Sequence, residues 1–224
     1  MTIFYRLGSK LYVNITNQCS CQCIFCIRTL TDGVGDADSL WLPAEPSVDE
    51  IMAAFYARHD IDWKSEAPVE RGIAGQNCKG GCDADPYDTN ADEIIFCGYG
   101  EPMERADDVI TIARYIKEKT DLPIRINTNG LVRLKYPDFD IQQLTCVDSV
   151  SISLNADDPD EYVRVTRPQY GAIAYQEVLT FASQAKDYTQ VIFTVVNTIE
   201  PHRIDNCRRI AESLGIPLRV RGFM

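Results

Sequence analysis

Hydrophobic and polar residues follow two different periods along this chain. Residues 10–16 (KLYVNIT) alternate apolar and polar side chains, as a strand with one buried face does. Residues 106–119 place apolar side chains three and four positions apart, with acids in the first turn and lysines in the last, which favours a helix. A second helix is predicted at 46–59, because Ser47 and Glu50 have the spacing of a capping box.

Continued along the chain, the same pattern predicts six strands with helices between them. The predicted strands lie within residues 10–16, 91–102, 123–130, 149–155, 190–198 and 217–223. Two further helices are predicted at 174–186 and 203–214. Repeated strand–helix units produce a parallel sheet with right-handed crossovers. A closed eight-stranded barrel needs about 250 residues, so we expect an incomplete (β/α)6 TIM-like barrel, with an open doubly wound sheet as the alternative.

One segment interrupts this alternation. Residues 63–92 are polar, rich in glycine and without a period, so we expect a long loop inserted between the first helix and the second strand. The 224 residues, of which 45% are hydrophobic, suit one domain that spans residues 1–224 and contains this insertion.

Charge and hydropathy narrow the range of partners. Lys and Arg number 22 and Asp and Glu number 33, which gives a net charge of −11. So acidic a chain is not expected to bind duplex nucleic acid through its overall field. We also expect no membrane partner and a cytoplasmic location, because the chain shows neither an apolar signal core nor an apolar run of 18 residues.

The unusual residues of the chain follow the predicted strands. A cysteine cluster follows the first strand, GYGEP (98–102) the second and NTNG (127–130) the third, while Asn155 and Asn197 lie at the ends of the fourth and fifth. In both folds under consideration, the active site lies at the carboxyl ends of the strands. We therefore expect these residues to share one cavity. As alternatives, the Asn-Gly pair could form an ordinary turn, and Asn155 could be a polar residue at a strand end whose hydrogen bonds are satisfied within the protein.

Cysteine is the residue type that points most directly to chemistry. Nine cysteines accompany only two histidines, and four of the nine fall within the eight residues of 19–26. Without a signal peptide, metal ligation is favoured over disulfides. A site so rich in thiolates suits an iron–sulfur cluster or structural zinc. Cys78 and Cys82 would supply only two ligands, whereas Cys97, Cys146 and Cys207 lie in apolar or helical contexts and are expected to pack in the core.

The spacing within the cluster leaves two arrangements open. Cys19, Cys23 and Cys26 form C-x3-C-x2-C, and Cys21 lies inside that motif. Four ligands would close the shell of a zinc ion or of an electron-transfer cluster. Three ligands would instead leave one iron of a cubane cluster free for a substrate or cofactor, which indicates catalysis.

The C-x3-C-x2-C motif, with Phe25 before the last cysteine, resembles the signature of radical S-adenosylmethionine (SAM) enzymes. GYGEP resembles the Gly-Gly-Glu-Pro segment of that superfamily, and the six-unit partial barrel is the fold that it uses. More closely, nearly the whole chain is similar to the TatD-linked (TatD family-associated) radical SAM proteins. The segments that carry this similarity are LYVNITNQCSCQCIFCIRT, DGVGDADSLWL, IIFCGYGEP, IRINTNG, SVSISLNA and LRVRGF.

The resemblance implies a mechanism. Cys19, Cys23 and Cys26 would bind a [4Fe–4S] cluster, SAM would bind the fourth iron, and Cys21 would not be a ligand. The reduced cluster would cleave SAM to a 5′-deoxyadenosyl radical that abstracts hydrogen from a small, unidentified substrate. An external one-electron donor of the flavodoxin or ferredoxin type is implied as a partner. The resemblance identifies neither the substrate nor a catalytic residue that acts on it.

The resemblance also assigns residues to the cofactor. Phe25 would lie against the adenine, and Arg219 or Arg221 would reach the adenine or an anionic group of the substrate. The remaining cofactor-binding residues would be Gly98, Gly100, Glu101, Pro102, Asn127, Thr128, Asn129, Ser153 and Asn155. Tyr99 departs from the family pattern, since many members have a glycine there, and so does the long segment 63–92.

Overall fold

The computed structural model describes residues 1–64 and 90–223, so Cys78, Cys82 and most of the predicted insertion lie outside the described residues. The strands are β1 (Phe4–Leu7), β2 (Lys10–Val13), β3 (Glu93–Phe96), β4 (Ile124–Thr128), β5 (Ser149–Ser153), β6 (Gln190–Val196) and β7 (Leu218–Arg221). The helices are α1 (Val48–Tyr56), α2 (Ala106–Lys119), α3 (Val132–Lys135), α4 (Pro159–Thr166), α5 (Ile173–Ala185) and α6 (Pro201–Ser213). Short 3-10 turns cover Ile27–Thr29, Pro102–Arg105 and Ile141–Cys146.

The strands form one sheet whose spatial order is the chain order, from β1 to β7. Strands β2 to β7 are parallel to their neighbours, and β1 pairs with β2 in the antiparallel sense. The expected parallel α/β architecture is therefore confirmed. Among the described residues, β1 and β7 remain unpaired edges, so the sheet is not closed. The strand order contains no reversal of the kind that marks the switch point of a doubly wound sheet.

The predicted count of six strands was wrong by one, because β1 was not anticipated. A two-residue turn at Gly8 and Ser9 joins β1 to β2, and Gly8 has a φ of +60°. A glycine with positive φ is what a tight hairpin of this kind requires. The four residues of β1 precede the first strand–helix unit, so the repeating pattern gave no reason to expect a strand there.

Helix α4 was also missed by the periodicity, although its start is encoded locally. Asp158 is the N-cap residue, and its carboxylate accepts a hydrogen bond from the backbone N–H of Glu161 at 2.9 Å. Pro159 occupies the first helical position, where its missing N–H costs nothing. The helix ends at Arg167, which has a left-handed φ of +46°. The last turn of this eight-residue helix contacts residues 19–26, which we call the cysteine segment.

The two faces of the sheet differ in chemistry. Phe96, Ile126 and Val150 are neighbours across three strands and lie in the main hydrophobic core, which also contains residues from all six helices. The alternate positions, such as Asn127 and Ser151, point to the opposite face, because successive side chains of a strand alternate. The helices therefore cover the apolar face, and the other face carries polar side chains together with some apolar ones, such as Ile95. No described helix is long and apolar enough to cross a bilayer.

The predicted capping box of α1 is confirmed. The Ser47 hydroxyl accepts a hydrogen bond from the Glu50 N–H at 3.2 Å, and the Glu50 carboxylate accepts one from the Ser47 N–H at 2.8 Å. Two of the backbone donors left unpaired at a helix start are thereby satisfied.

Replacement of Ser47 by alanine removes this cap from α1. We expect Ser47→Ala to lower the free energy of unfolding by about 1 kcal/mol, the usual cost of losing a serine cap. Thr180→Ala is the control, since Thr180 is half-buried in the middle of α5, where alanine is a good helix former. Urea denaturation of both variants measures the difference, and equal stability would contradict the assigned cap.

Candidate functional site

A cavity of about 410 Å³ lies at the carboxyl ends of the parallel strands. Small-molecule sites usually have volumes of about 300–1,000 Å³. The expectation that the strand-end residues share one cavity agrees with the geometry for the first four strand ends. It was wrong for Asn197, which is exposed, accepts a hydrogen bond from the Phe223 N–H at 2.7 Å and is not among the described lining residues. The predicted site residues that line it are Cys19, Cys23, Phe25, Cys26, Gly98, Gly100, Glu101, Pro102, Asn127, Thr128, Asn129, Ser153 and Asn155.

Of the two arginines that the sequence offered on the last strand, one lines the cavity. Both side chains are exposed, but Arg221 lines the cavity and Arg219 is not among the described lining residues. Arg221 pairs with Val196 of β6, which also lines the cavity. Among the described residues, Arg221 has no ion pair, so its guanidinium is available to an anionic ligand.

The structure adds lining residues that sequence reasoning missed. Tyr162 and Thr166 come from α4, the helix that was not predicted. Cys97 was expected to pack in the core, but it lines the cavity, and this expectation was wrong. The alternation of side chains along β3 could have predicted this position. Ile94 and Phe96 enter the core, so Cys97 points to the opposite face.

The cysteine segment lies along the last turn of α4. The backbone N–H of Gln22 donates to the carbonyl of Thr166 at 2.9 Å, and the N–H of Ile24 donates to the carbonyl of Val165 at 3.0 Å. These bonds involve every second residue of the segment. The alternate residues line the cavity: Cys19, Cys21 and Cys23. Backbone hydrogen bonds thus hold the segment in place while its thiols face inward.

Ser20 fixes the other side of the same segment. Its backbone N–H donates to the Glu104 carboxylate at 3.0 Å, and its hydroxyl accepts a hydrogen bond from the Asn129 side-chain amide at 3.1 Å. Glu104 is buried and forms an ion pair with Lys135 at 2.7 Å. The cysteine segment is therefore connected to the loop after β3 and to the loop after β4.

Gly100 allows the GYGEP segment to approach the cysteine segment. A Cβ atom at Gly100 would lie 2.3 Å from the carbonyl oxygen of Thr16 and 2.6 Å from that of Gln18. Next to it, the backbone N–H of Glu101 donates to the Gln18 carbonyl at 2.7 Å. The glycine is required here by contact between two site loops rather than by a left-handed φ.

Tyr99, where the sequence differs from the pattern of the family that it resembles, anchors a third segment. Its ring is buried, its hydroxyl donates to the carbonyl of Thr31, and it packs edge-on against Trp41 with ring centroids 5.1 Å apart. The segment 31–45, which follows the cysteines in the chain, is thereby held beside the cavity.

The Glu101 carboxylate is buried at the junction of these loops. One oxygen accepts a hydrogen bond from the Met103 N–H at 3.0 Å, and the other accepts one from the Asn129 N–H at 2.6 Å. These bonds favour the ionised form, but burial outweighs them and raises the pKa of Glu101 to about 7.

Two asparagines in the cavity wall have side-chain oxygens that accept no hydrogen bond from the described residues. The side-chain oxygens of Asn127 and Asn155 are buried and have no hydrogen-bond partner within the described structure. Asn155 is 4% exposed and has a φ of +58°, an uncommon conformation for a residue other than glycine. Unsatisfied buried oxygens and a strained strand end are both typical of ligand sites.

The thiols of the cysteine segment interact with one another. A hydrogen bond from the Cys21 thiol lowers the pKa of Cys19 and that of Cys23, and these contacts raise the pKa of Cys21 itself. Burial raises the pKa of Cys26. Cys21 therefore lies between two of the predicted ligands, and its exclusion from the ligand set remains a prediction based on spacing.

In the parts of the chain that are described, no three or more Cys, His, Asp or Glu side chains are grouped so as to hold a single metal ion. Structural zinc would need its thiolates at about 2.3 Å from one point. The arrangement thus gives no support to a zinc site. A cluster differs in this respect, because its ligands bind separate irons.

Comparison with known proteins adds a fold relationship. No family model and no curated protein matches the chain. A solved structure described as "Native anSMEcpe with bound AdoMet" matches with a TM-score of 0.58 and 13% identity. The match covers 95% of this chain and 50% of that one, so this chain spans half the length of the other protein. At this identity the likeness is one of fold.

Gly100→Ala tests the contact between the two loops. The added Cβ must displace the backbone of the cysteine segment, so we expect a loss of about 1–3 kcal/mol in the free energy of unfolding. Gly222→Ala, where a Cβ would meet nothing within 4 Å, should change stability little. Chemical denaturation measures the stability of both variants. An unchanged stability of Gly100→Ala would contradict the close contact between the two loops.

The pKa of Glu101 predicts a pH dependence of stability. Its folded pKa of about 7 exceeds the unfolded value of about 4.3, so the folded state binds the proton more tightly. Stability should therefore fall as pH rises from about 4 to 7, by up to about 3 kcal/mol from this group. Glu101→Gln should remove that part of the slope, whereas the exposed control Glu118→Gln should retain it. Unfolding free energies measured across this range would disprove the assignment if both variants kept the slope of the parent protein.

Proposed function

We propose that this protein is a radical SAM enzyme. In this proposal a reduced [4Fe–4S] cluster cleaves SAM to a 5′-deoxyadenosyl radical, which abstracts hydrogen from a small, unidentified substrate. The observation that carries the proposal is the placement of Cys19, Cys23 and Cys26 on the wall of one cavity with the strand-end residues. The fold neighbour, whose structure is described as having AdoMet bound, supports it.

The donor set on the cavity wall suits an iron–sulfur cluster. Thiolates are the usual protein ligands of such clusters, and Cys19, Cys23 and Cys26 would hold it. The segment that carries them is fixed by backbone hydrogen bonds from Gln22 and Ile24, so its thiols are placed before a cluster binds. A bound cluster would supply the electron for reductive cleavage, and three ligands would leave one iron for SAM.

The opposite wall suits SAM. The methionine, ribose and adenine parts of SAM carry N–H and O–H donors, and the unpartnered oxygens of Asn127 and Asn155 would accept such bonds. Glu101 and its loop would lie at the methionine end, and Phe25 would pack against the adenine. Thr128, Asn129 and Ser153 complete this wall in the proposal, and Arg221 replaces Arg219 as the arginine at the cavity.

The shape of the sheet fits the proposed enzyme class. The strands follow one another in chain order, and the helices share a core with one face of the sheet. A doubly wound sheet would need helices on both faces. We therefore propose that the sheet is an incomplete (β/α)6 barrel whose inner face carries the cavity, with β1 as an added strand and residues 1–224 as one domain.

The partners follow from the same proposal. The cavity volume of about 410 Å³ favours a small substrate over a macromolecular one. Reduction of the cluster requires an external one-electron donor of the flavodoxin or ferredoxin type, in keeping with a cytoplasmic enzyme.

Anaerobic reconstitution with iron and sulfide tests the proposal. After reduction, we expect a low-temperature EPR signal of a [4Fe–4S] cluster and formation of 5′-deoxyadenosine from SAM. Cys23→Ala should abolish both, because it removes a cluster ligand. Absence of both signals in the native protein would disprove the proposed function.

Cys21→Ser is the matched control, since Cys21 lies in the same segment but is not a proposed ligand. Its cluster signal and its rate of SAM cleavage should stay within about twofold of the native values. Loss of the cluster in Cys21→Ser would indicate a closed electron-transfer cluster with four cysteine ligands. One tightly bound zinc per chain, without iron, would indicate the structural alternative.

A further inference from the structure

The first and the last strand of the sheet border the same opening of the cavity. Leu7 of β1 and Arg221 of β7 both line it, although these strands lie at opposite ends of the strand order. The sheet is therefore curved enough to bring its two edges to one cavity. Leu30 and Phe223 also line the cavity and are exposed, and we call Leu7, Leu30, Arg221 and Phe223 the mouth.

Arg221 is the only positively charged side chain among the described residues that line the cavity. The only carboxylate among them belongs to Glu101, which is buried and already accepts hydrogen bonds from the backbone of Met103 and Asn129. Within the described structure, the Arg221 guanidinium has neither an ion pair nor a hydrogen bond. In a chain whose net charge is −11, an arginine that lines a cavity without a partner indicates an anionic ligand.

Asn197 fixes the backbone on both sides of this arginine. Its backbone N–H donates to the Arg221 carbonyl at 3.0 Å, and its side-chain oxygen accepts a hydrogen bond from the Phe223 N–H at 2.7 Å. Because Asn197 directly follows β6, these bonds connect the end of β7 to the neighbouring strand. The backbone at the mouth is therefore positioned before a ligand binds, which lowers the entropic cost of binding there.

The rest of the mouth is apolar. Leu7, Leu30 and Phe223 are 43%, 56% and 50% exposed. A ligand that covered these side chains would remove apolar surface from water, which favours binding. Small-molecule sites typically combine apolar walls with a few polar groups that fix the orientation of the ligand. The mouth has this composition, with one cation beside three apolar side chains.

The proposed position of SAM leaves the mouth unoccupied. SAM has one carboxylate, which belongs to its methionine end, and that end would lie at Glu101 after β3. Arg221 is on β7, four strands further along the sheet. Leu7, Leu30 and Phe223 have no role in the proposed SAM site. A second molecule is therefore required to pair with the guanidinium and to cover the apolar side chains.

We propose that the substrate is a small amphipathic anion; the proposal rests on the radical SAM function proposed above. Its carboxylate or phosphate group binds to the Arg221 guanidinium, whose parallel N–H donors match two oxygens of either group. Its apolar part lies against Leu7, Leu30 and Phe223. The anionic group is thus held at the mouth, and the rest of the molecule extends inward toward the strand ends.

Three probes that share a phenyl group test the anion site in the full chain without cluster. They are 3-phenylpropionate, phenyl phosphate and the neutral 3-phenylpropanamide, and NMR titration measures their affinities. We expect the anions to bind about tenfold more tightly than the amide, because a charge-assisted hydrogen bond is lost with the charge. The tighter of the two anions identifies the group that Arg221 prefers.

Variants of the two arginines of β7 locate the site. Arg221→Gln should bind both anions about tenfold more weakly than the native protein, so that they bind no better than the amide. Arg221→Lys should lose less, since it keeps the charge but not the two parallel donors. Arg219→Gln is the matched control, because Arg219 is exposed on the same strand and is not among the described lining residues. Its affinities should equal the native ones.

The apolar part of the site has its own test. Phe223→Ala should weaken the binding of 3-phenylpropionate severalfold and leave that of propionate unchanged, since only the longer probe reaches the ring. Ile173→Ala is the control, because Ile173 is 62% exposed at the start of α5 and does not line the cavity. Equal losses for the two probes in Phe223→Ala would show that the ring does not contact the ligand and would overturn the apolar assignment.

The remaining outcomes separate this inference from the proposed function. In the reconstituted protein, Arg221→Gln should bind SAM with the native affinity by calorimetry, and a weakened affinity would show that Arg221 serves the cofactor instead. If 5′-deoxyadenosine forms but the anions do not bind, or bind equally well to Arg221→Gln, the enzyme class stands and the substrate assignment is wrong. If the anions bind through Arg221 and no 5′-deoxyadenosine forms, the proposed function is wrong, and the anion is not the substrate of a radical reaction.

Discussion

The site depends on the close contact between its two principal loops. The cysteine segment follows β2 and GYGEP follows β3, and because these strands are parallel neighbours, both loops leave the sheet side by side. The hydrogen bond from the Glu101 N–H to the Gln18 carbonyl joins them, and it forms only because Gly100 has no side chain. With the first cysteine next to Gln18, this contact sets where the thiols lie relative to the strand ends.

Buried carboxylates determine how the loops are arranged relative to one another. Glu101 accepts hydrogen bonds from the backbone of Asn129, and Glu104 accepts one from the backbone of Ser20, so two acids connect the loops after β2, β3 and β4. Burying a carboxylate is costly unless it is hydrogen-bonded, and apolar packing has no directional preference. The acids thus specify one arrangement of the loops, and the raised pKa of Glu101 reflects the burial that this arrangement requires.

Much of the fold was predictable because it repeats. Residues 106–119 form the predicted helix with the predicted bounds, since its apolar period is complete and its charges match the dipole. Short elements were missed. Strand β1 depends on its hairpin with β2, and α4 has only eight residues, so its start at Asp158 and Pro159 is a clearer signal than its brief apolar period. The cavity residues near motifs were found, whereas Tyr162 and Thr166 were not, because helix packing brings them to the site.

The alternation within the central strands shows why a cavity exists. Parallel strands covered by helices on both faces usually appear as continuous apolar runs, yet β5 reads SVSIS, with Val150 and Ile152 in the core and serines between them. Ser151 and Thr194 are 6% and 3% exposed, so these polar side chains are enclosed without being packed by a second helix layer. One apolar face is enough to hold the helices, and the other is free to present hydroxyl, amide and thiol groups to a ligand.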